Sequence, residues 1–386
     1  MTLAAIIFGV AGVVLSGGFV RDIFVQLGEA LIHSQTGHLQ VLRTGYFEAG
    51  TRSPENFRIE NIAQLRQQIS AIPEVQEVMA RVSFSGLLNN GRSDWAIVGE
   101  GVEPDKEAQL GTYLKISAGR QLRDSDRAGL LLGQGVAQGL KVSAGDRVTL
   151  LVNTAEGALN SMEFEVVGVF QSFSKDFDAR TVRIPLAAAR ELLGSDGING
   201  LVVSLKETAD TGPVANLLRI RFAGKRLEVK TWVELNDFYE KTVALYDRQF
   251  GVLQLIILAM VLLSVASSVN MSVFERVGEF GTMMALGNGR GDVFRLILME
   301  SALLGLIGGL LGVLLGVVMA IVISAIGIPM PPPPNANLGY TAFIRVVPTV
   351  LAMAFLVGFG ATALATLLPA ARMSRTPVVT ALRANI

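Results

Sequence analysis

The feature that most constrains this chain is the stretch from residue 271 to residue 316, MSVFERVGEFGTMMALGNGRGDVFRLILMESALLGLIGGLLGVLLG. Glu275, Arg276 and Glu279, then the glycine-punctuated run from Gly287 to Asp292, are squeezed between two apolar runs. Each run is long enough to cross a bilayer, for which about 20 residues are needed. A soluble fold has little use for that arrangement. A membrane protein that hands force or signal to a cytoplasmic partner does, because a short amphipathic helix joined to two spans moves both when it is pushed. The stretch therefore reads as a coupling element.

Four spans follow from the hydropathy pattern: residues 1–20, which carry no charge, then Phe250 to Phe274, Leu296 to Ile328 and Val346 to Leu368. A secretory signal needs a basic region before its apolar core and a small-residue cleavage site after it, so residues 1–20 are expected to be a retained span. Charge is unevenly shared. Residues 251–386 hold no lysine, seven arginines and four acids, a net charge of +3, which leaves −3 for residues 1–250. Arginine placement sets the orientation. Arg276, Arg290 and Arg295 between spans two and three, with Arg372, Arg375 and Arg383 after span four, put the 275–295 loop and both termini in the cytoplasm. The uncharged Gly327 to Ile344 loop and the segment of about 230 residues between the first two spans are then extracytoplasmic.

That long segment has the pattern of a folded domain. Ile62, Leu65, Ile69 and Ile72 recur at helical spacing and predict a helix over Ile59 to Ile72, stopped by Pro73. Strands are predicted at Val75 to Leu88 and Ala96 to Val102, joined through Asn89-Asn90-Gly91, and at Gly129 to Leu132, Arg147 to Val152 and Glu163 to Phe170. Helical patches at Leu186 to Leu193 and Pro213 to Phe222 complete an α+β pattern. Residues 21–31 continue span one, and Val233 to Phe250 leads into span two on a 3.5-residue repeat, so both joints are expected to be stiff helical stalks.

The expected chain is an α-helical membrane protein with four transmembrane helices and a large α+β extracytoplasmic domain between spans 1 and 2. Its parts are span one and stalk (1–32), the α+β domain (33–232), stalk and span two (233–274), the coupling region (275–295) and span three (296–328). A Pro-rich loop (329–345), span four (346–370) and a tail (371–386) follow. Gly308, Gly312 and Gly316 recur every four residues in span three, and Ala354, Gly358, Thr362 and Thr366 do so in span four. Small residues at that spacing let helix backbones approach where lipid supplies no hydrophobic drive. The stripes predict tight pairing, within one chain or between two.

Chemistry-bearing motifs are scarce. The chain has no cysteine and two histidines, which argues against disulfides, thiol chemistry and transition-metal catalysis. Balanced charge without a basic cluster argues against nucleic acid. No Walker A pattern occurs; Gly224-Lys225 is followed by Arg226. Gly133 to Gly139 departs from a dinucleotide fingerprint and reads as a turn into a short helix, and His33 and His38 read as surface residues. Glu300, at the membrane edge near the predicted start of span three, is either a functional group or a carboxylate held by the interface and the helix dipole. Pro329 to Pro334, with Pro331 and Pro332 central, reads as a stiff polyproline II spacer, either an entrance or a connector.

These residues resemble a family. Glu275-Arg276, Glu279-Phe280-Gly281 and Ala285-Leu286-Gly287, followed by Glu300 and Gly305, Gly309 and Gly312, resemble the signature of the FtsX-like permease domain shared by MacB-type exporters and LolC/LolE lipoprotein-releasing permeases. The segments Thr36 to Gly50 and Leu131 to Leu151 resemble their periplasmic domain, which in the family has two lobes, the inserted one here over roughly 95–190. The resemblance implies a bacterial inner-membrane permease without catalytic or cofactor sites of its own. It implies a homo- or heterodimer of such chains bound to two cytoplasmic ATPase subunits that hold ATP and Mg. Glu275, Arg276, Glu279, Phe280, Gly281, Met284, Ala285, Leu286 and Gly287 would then couple to the ATPase, and Met284 stands where many members carry a basic residue. The lack of a fused ATPase favours the lipoprotein-releasing type, with lipoprotein cargo and a periplasmic carrier as partners. A regulator of a cell-wall hydrolase and an efflux component with a periplasmic adaptor are the alternatives.

Overall fold

The computed structural model describes residues 2–50, 54–111, 113–154, 157–332 and 339–383; Met1 and the last two prolines of the proline run, Pro333 and Pro334, lie outside the described residues. In chain order the elements begin with α1 (Thr2–Leu31), β1 (Leu39–Arg43), α2 (Ile62–Ser70), β2 (Val75–Asn89), β3 (Asp94–Val102), α3 (Pro104–Leu110), β4 (Lys115–Gly119), β5 (Gly129–Gly133), α4 (Gln134–Leu140), β6 (Arg147–Asn153) and β7 (Leu159–Gln171). They continue with α5 (Lys175–Asp178), β8 (Thr181–Pro185), α6 (Leu186–Leu193), β9 (Gly200–Leu205), α7 (Thr211–Arg221), β10 (Leu227–Thr231) and α8 (Asp237–Glu275). The remainder is α9 (Val277–Ala285), α10 (Arg290–Ile326), the short β11 (Ile328–Met330) and β12 (Tyr340–Ala342), α11 (Pro348–Ser374) and α12 (Val378–Arg383). Two compact units result, one of residues 1–25, 242–330 and 341–386, the other of 26–241 with 331–340.

In the helical unit α1, α8, α10 and α11 are each long and apolar enough to cross a membrane. The glycine stripes find partners inside the chain. A Cβ on Gly308, Gly312 or Gly316 would stand 2.7–2.9 Å from Ile6, Val10 or Val14 of α1, and one on Gly358 would collide with Val10. Gly305 faces Thr362 and Gly309 faces Phe355. The α10 and α11 stripes thus form the seat for the apolar face of α1, whose Ile6, Val10 and Val14 are almost fully buried.

The α+β unit is one mixed sheet in the order β10-β1-β9-β2-β3-β8-β5-β7-β4, with β6 pairing both β2 and β7. Strand β2 is its spine: Val75–Arg81 pairs antiparallel with β9, and Val82–Asn89 with β3. Strict alternation in β6 sends Val148, Leu150 and Val152 inward, whereas β5, β8 and β9 are covered on both faces. Helices α2, α6 and α7 close the core through Leu65 and Ile69, Leu192 and Leu193, and Val214 and Leu218.

Strands β2, β3, β5, β6 and β7 and helices α4, α6 and α7 fall where the pattern predicts them. Helix α2 starts at Ile62, three residues late, because Ile59 forms a bridge with Ile198 instead. Helix α8 starts at Asp237, since Val233 and its neighbours are held in a turn by Leu235 N–H to Thr231 C=O and Asn236 N–H to Val233 C=O. The pattern does not predict β1, β4, β8, β9 or β10, each of five or six residues.

Candidate functional site

The charged stretch between the second and third long helices is a helix, a tight turn and the first turns of a second helix. Backbone helicity breaks at Arg276, with φ −108° and ψ 14°, which ends α8 and caps α9. The guanidinium of Arg276 then fastens three elements. Its Nε donates to Glu279 Oε2 at 2.8 Å, its Nη1 donates to both Glu300 oxygens at 2.8 and 2.9 Å, and the group lies 5.2 Å from the centroid of the Phe280 ring. Phe280 is buried among Val273, Val293 and Ile297, with Met373 and Ala381 in the same cluster. α9 is therefore clamped to the end of α8 and to the first three turns of α10.

Its two faces differ. Gly278, Phe280 and Gly281 are buried and Met284 is half-buried, while Glu275, Glu279, Ala285 and Gly287 are exposed and Leu286 is 84% exposed. The helix ends because Gly287 adopts φ +105°, with its N–H donating to Met284 C=O at 3.2 Å and Asn288 N–H to Met283 C=O at 3.1 Å. Gly289 N–H donates to Asp292 Oδ2 at 2.9 Å and opens α10. Because α10 starts at Arg290, Glu300 sits three turns inside it, so the helix-dipole reading of Glu300 fails and Arg276 is its partner. Pro331 and Pro332 are exposed.

A second site, outside every motif of the sequence, lies in the α+β unit at the end of α1. The chain there widens into a π-helical turn, Ile32–Thr36, which Gly37 N–H closes by donating to Ile32 C=O at 3.0 Å. Arg81 of β2 donates through Nη1 to Gln35 C=O at 2.6 Å, and Arg183 of β8 through Nη2 to Ser34 C=O at 3.4 Å. Both arginines sit among carboxylates. Arg81 grips Glu107 of α3 through Nη2 at 2.7 and 2.9 Å and Nε at 3.1 Å, with Glu100 of β3 at 3.6 Å. Arg183 donates to Glu100 at 2.8 Å and lies against Phe170 and Phe177. Burial would raise the Glu100 carboxyl, but Arg81 and Arg183 together outweigh it and hold Glu100 below the usual carboxylate range. Burial likewise opposes the charge on Arg81, and Glu107 and Glu100 overcome it and push its pKa up.

The two histidines join the same end of α1, against the expectation of surface residues. His38 is 2% exposed. Leu205 N–H donates to its Nδ1 at 3.2 Å, so Nε2 carries the proton and donates to Thr208 Oγ1, also at 3.2 Å. The Thr208 hydroxyl donates to Glu29 Oε1 at 2.7 Å. His33 lies between Glu29 Oε2 at 3.2 Å and Leu110 C=O at 3.1 Å, two acceptors that favour its doubly protonated form. Burial and then the neighbouring His33 push His38 down to about 4, with Glu29 opposing. The clue in the sequence was charge in apolar strands: Arg81 in VMARV, Glu100 in IVGEGV and Arg183 in TVRIP.

Fold and site define a membrane chain that carries a large α+β domain between its first two long helices and a clamped amphipathic helix between its second and third. The MacB-like periplasmic core domain matches residues 1–220 and the FtsX-like permease C-terminal domain matches residues 251–378, and the chain belongs to this family of ABC-transporter permeases. It is similar to the lipoprotein-releasing system transmembrane protein LolC of Xylella fastidiosa, 25% identical over 244 residues, 61% of this chain and 58% of that one. It is also similar to LolE of Haemophilus influenzae, 22% identical over 265 residues covering 64% and 63% of the two chains. The macrolide export ATP-binding/permease protein MacB of Rhodopseudomonas palustris (strain HaA2) is 26% identical over 331 residues, 80% of this chain and 48% of MacB. The matches to these relatives thus span about half to two-thirds of their lengths.

Proposed function

We propose that this chain is the membrane subunit of a mechanotransmission ABC transporter in a bacterial inner membrane, with its α+β domain in the periplasm and its termini and α9 in the cytoplasm. A separate ATPase, in two copies, binds ATP and Mg and docks on the exposed face of α9, and two permease chains form the dimer. The observation that carries this reading is the Arg276 clamp: a push on α9 is delivered at once to α8, through Arg276 itself, and to α10, through Glu300. Helix α1 continues to Leu31 and α8 begins at Asp237, so two unbroken helices run on beyond the apolar segments. At the end of α1, Arg81 and Arg183 give that motion a charged, buried handle on β2 and β8.

The cargo that the likeness to LolC and LolE favours is a lipoprotein, released from the inner membrane to a periplasmic carrier. Export of a soluble compound through a periplasmic adaptor is the second reading, favoured by the match to MacB over 80% of this chain. Purification of the tagged chain from its native membrane in mild detergent, with mass spectrometry of what accompanies it, tests the proposal. A stoichiometric ATPase subunit is expected, a second permease would make the dimer heteromeric, and an adaptor would move the cargo assignment to export. A cell-wall hydrolase without any ATPase would overturn the coupling role of α9.

A further inference from the structure

The cleft between α2 and α6 holds chemistry that the coupling elements do not use. It encloses about 450 Å³, within the range of about 300–1,000 Å³ of small-ligand sites. Ile62 and Ala63 of α2 and Leu186 of α6 give it apolar walls, and Arg66 of α2 and Arg190 of α6 bring two guanidinium groups into the same space. The Nε–H of each arginine is buried with no hydrogen-bond partner among the described residues. A buried donor left unpaired costs free energy that an incoming acceptor returns.

The charges are not balanced from within. Arg66 Nη2 donates to Glu103 Oε2 at 2.6 Å, and the same oxygen accepts from Ala80 N–H at 2.8 Å. Arg190 has no ion pair among the described residues, so the cleft keeps a net positive charge. A cation is excluded by sign. A purely polar anion would satisfy the two N–H groups but leave Ile62, Ala63 and Leu186 against water. We propose that this cleft binds an anionic amphiphile: a phosphate or carboxylate headgroup accepts from Arg66 and Arg190, and its apolar body lies on Ile62, Ala63 and Leu186.

The test is titration calorimetry of the full chain in phosphatidylcholine nanodiscs with hexyl phosphate, using hexanol and hexyltrimethylammonium as neutral and cationic probes of matched length. Saturable binding of hexyl phosphate is expected, with the neutral and cationic probes much weaker. Arg190→Gln and Arg66→Gln should each weaken it about tenfold, the loss of one charge-assisted hydrogen bond. Glu103→Gln keeps an acceptor for Ala80 N–H, removes a competing negative charge and should tighten binding severalfold. Unchanged melting by circular dichroism identifies the variants that are folded, and the opposite sign expected for Glu103→Gln keeps the test open if an arginine variant is not. Phosphatidylglycerol added to the disc separates the sources: competition with hexyl phosphate assigns a lipid headgroup, and no competition assigns a soluble amphiphile. Failure of the wild-type chain to bind hexyl phosphate in phosphatidylcholine discs overturns the site, as does equal binding by a folded variant carrying both Arg66→Gln and Arg190→Gln.

Discussion

Arg81 and Arg276 each face two glutamates, and the two clusters differ mainly in their access to water. The Arg81 and Glu107 side chains are 8% and 4% exposed, whereas Glu279 and Glu300 are 64% and 48% exposed. In the α+β unit the charges have lost their hydration, so each must be matched inside the protein, and the match is close: bidentate to Glu107, shared with Glu100, and completed by the carbonyls of Gln35 and Ser34. Around Arg276, water solvates whatever the pairing leaves over. The first arrangement resists any change of partner. The second can be opened and closed at small cost, as the proposed coupling role of α9 requires.

Arg81→Met should do the most damage. It leaves Glu107 and Glu100 buried with half their compensation and should destabilise the α+β unit by about 3–5 kcal/mol. Hydrogen exchange along β2 and β8 in the full chain reads the loss. Adding Glu107→Leu to Arg81→Met should recover part of it, because an apolar pair carries no desolvation debt. A cost below about 1 kcal/mol for the single variant would mean that the cluster is solvated after all.

In the helical unit the corresponding lever is shape. Gly312→Leu drives a side chain into Val10 and the Ile7 carbonyl and should cost about 1–3 kcal/mol, read as earlier thermal unfolding of the membrane helices. Gly251→Leu is the control, since nothing lies within 4 Å of a Cβ there. Equal effects of the two would show that the stripe on α10 does not seat α1.

Acid acts on the α+β unit through His38. His38 titrates near 4 when folded and near 6.5 when unfolded, so below 6.5 the unfolded chain binds a proton that the folded chain refuses. The stability tied to neutral His38 is complete above pH 6.5 and is lost progressively as pH falls from 6.5 to 4. Glu100, whose carboxyl is held low, adds a further loss below about 4.5. His38→Gln should flatten the upper part of the stability profile and leave the lower part. An unchanged slope between pH 6.5 and 4.5 would remove His38 from the account.

How far the sequence exposes each region follows from the range of its contacts. The four long helices are legible because hydropathy is a local property, and α9 is legible because Gly281 and Gly287 punctuate a short amphipathic pattern. The partner of the glycine stripes is not, since Gly312 and Gly358 meet Val10 from more than 300 residues away. Strands β1, β9 and β10 are missed for the same reason: five or six residues carry little period, and Val41 finds Leu201 and Val229 only in the folded sheet. The buried cluster gathers residues 34, 35, 81, 100, 107 and 183, whose spacing holds no pattern. Histidines five apart read as unrelated until Glu29 and Thr208 are placed between them.

The smallest expected effect on stability belongs to Arg276→Ala, and it separates structure from coupling. Removing a partly exposed guanidinium from two solvated carboxylates should cost no more than about 1 kcal/mol, because Glu279 and Glu300 regain water and Phe280 stays buried. The proposed coupling should suffer far more, since α9 then holds α8 and α10 only through the apolar packing of Phe280 and loses its polar tie to Glu300. ATPase activity measured with the proposed partner subunit in nanodiscs is therefore expected to lose its dependence on the permease, while assembly and melting stay near wild type. Arg276→Lys keeps the charge but cannot hold Glu279 and both Glu300 oxygens at once, so it should recover little of the coupling. If Arg276→Ala instead unfolds the helices while Arg276→Lys is normal, the clamp is a structural element and force enters through another part of α9. Leu286, 84% exposed beside the turn at Gly287, would then be the next residue to change.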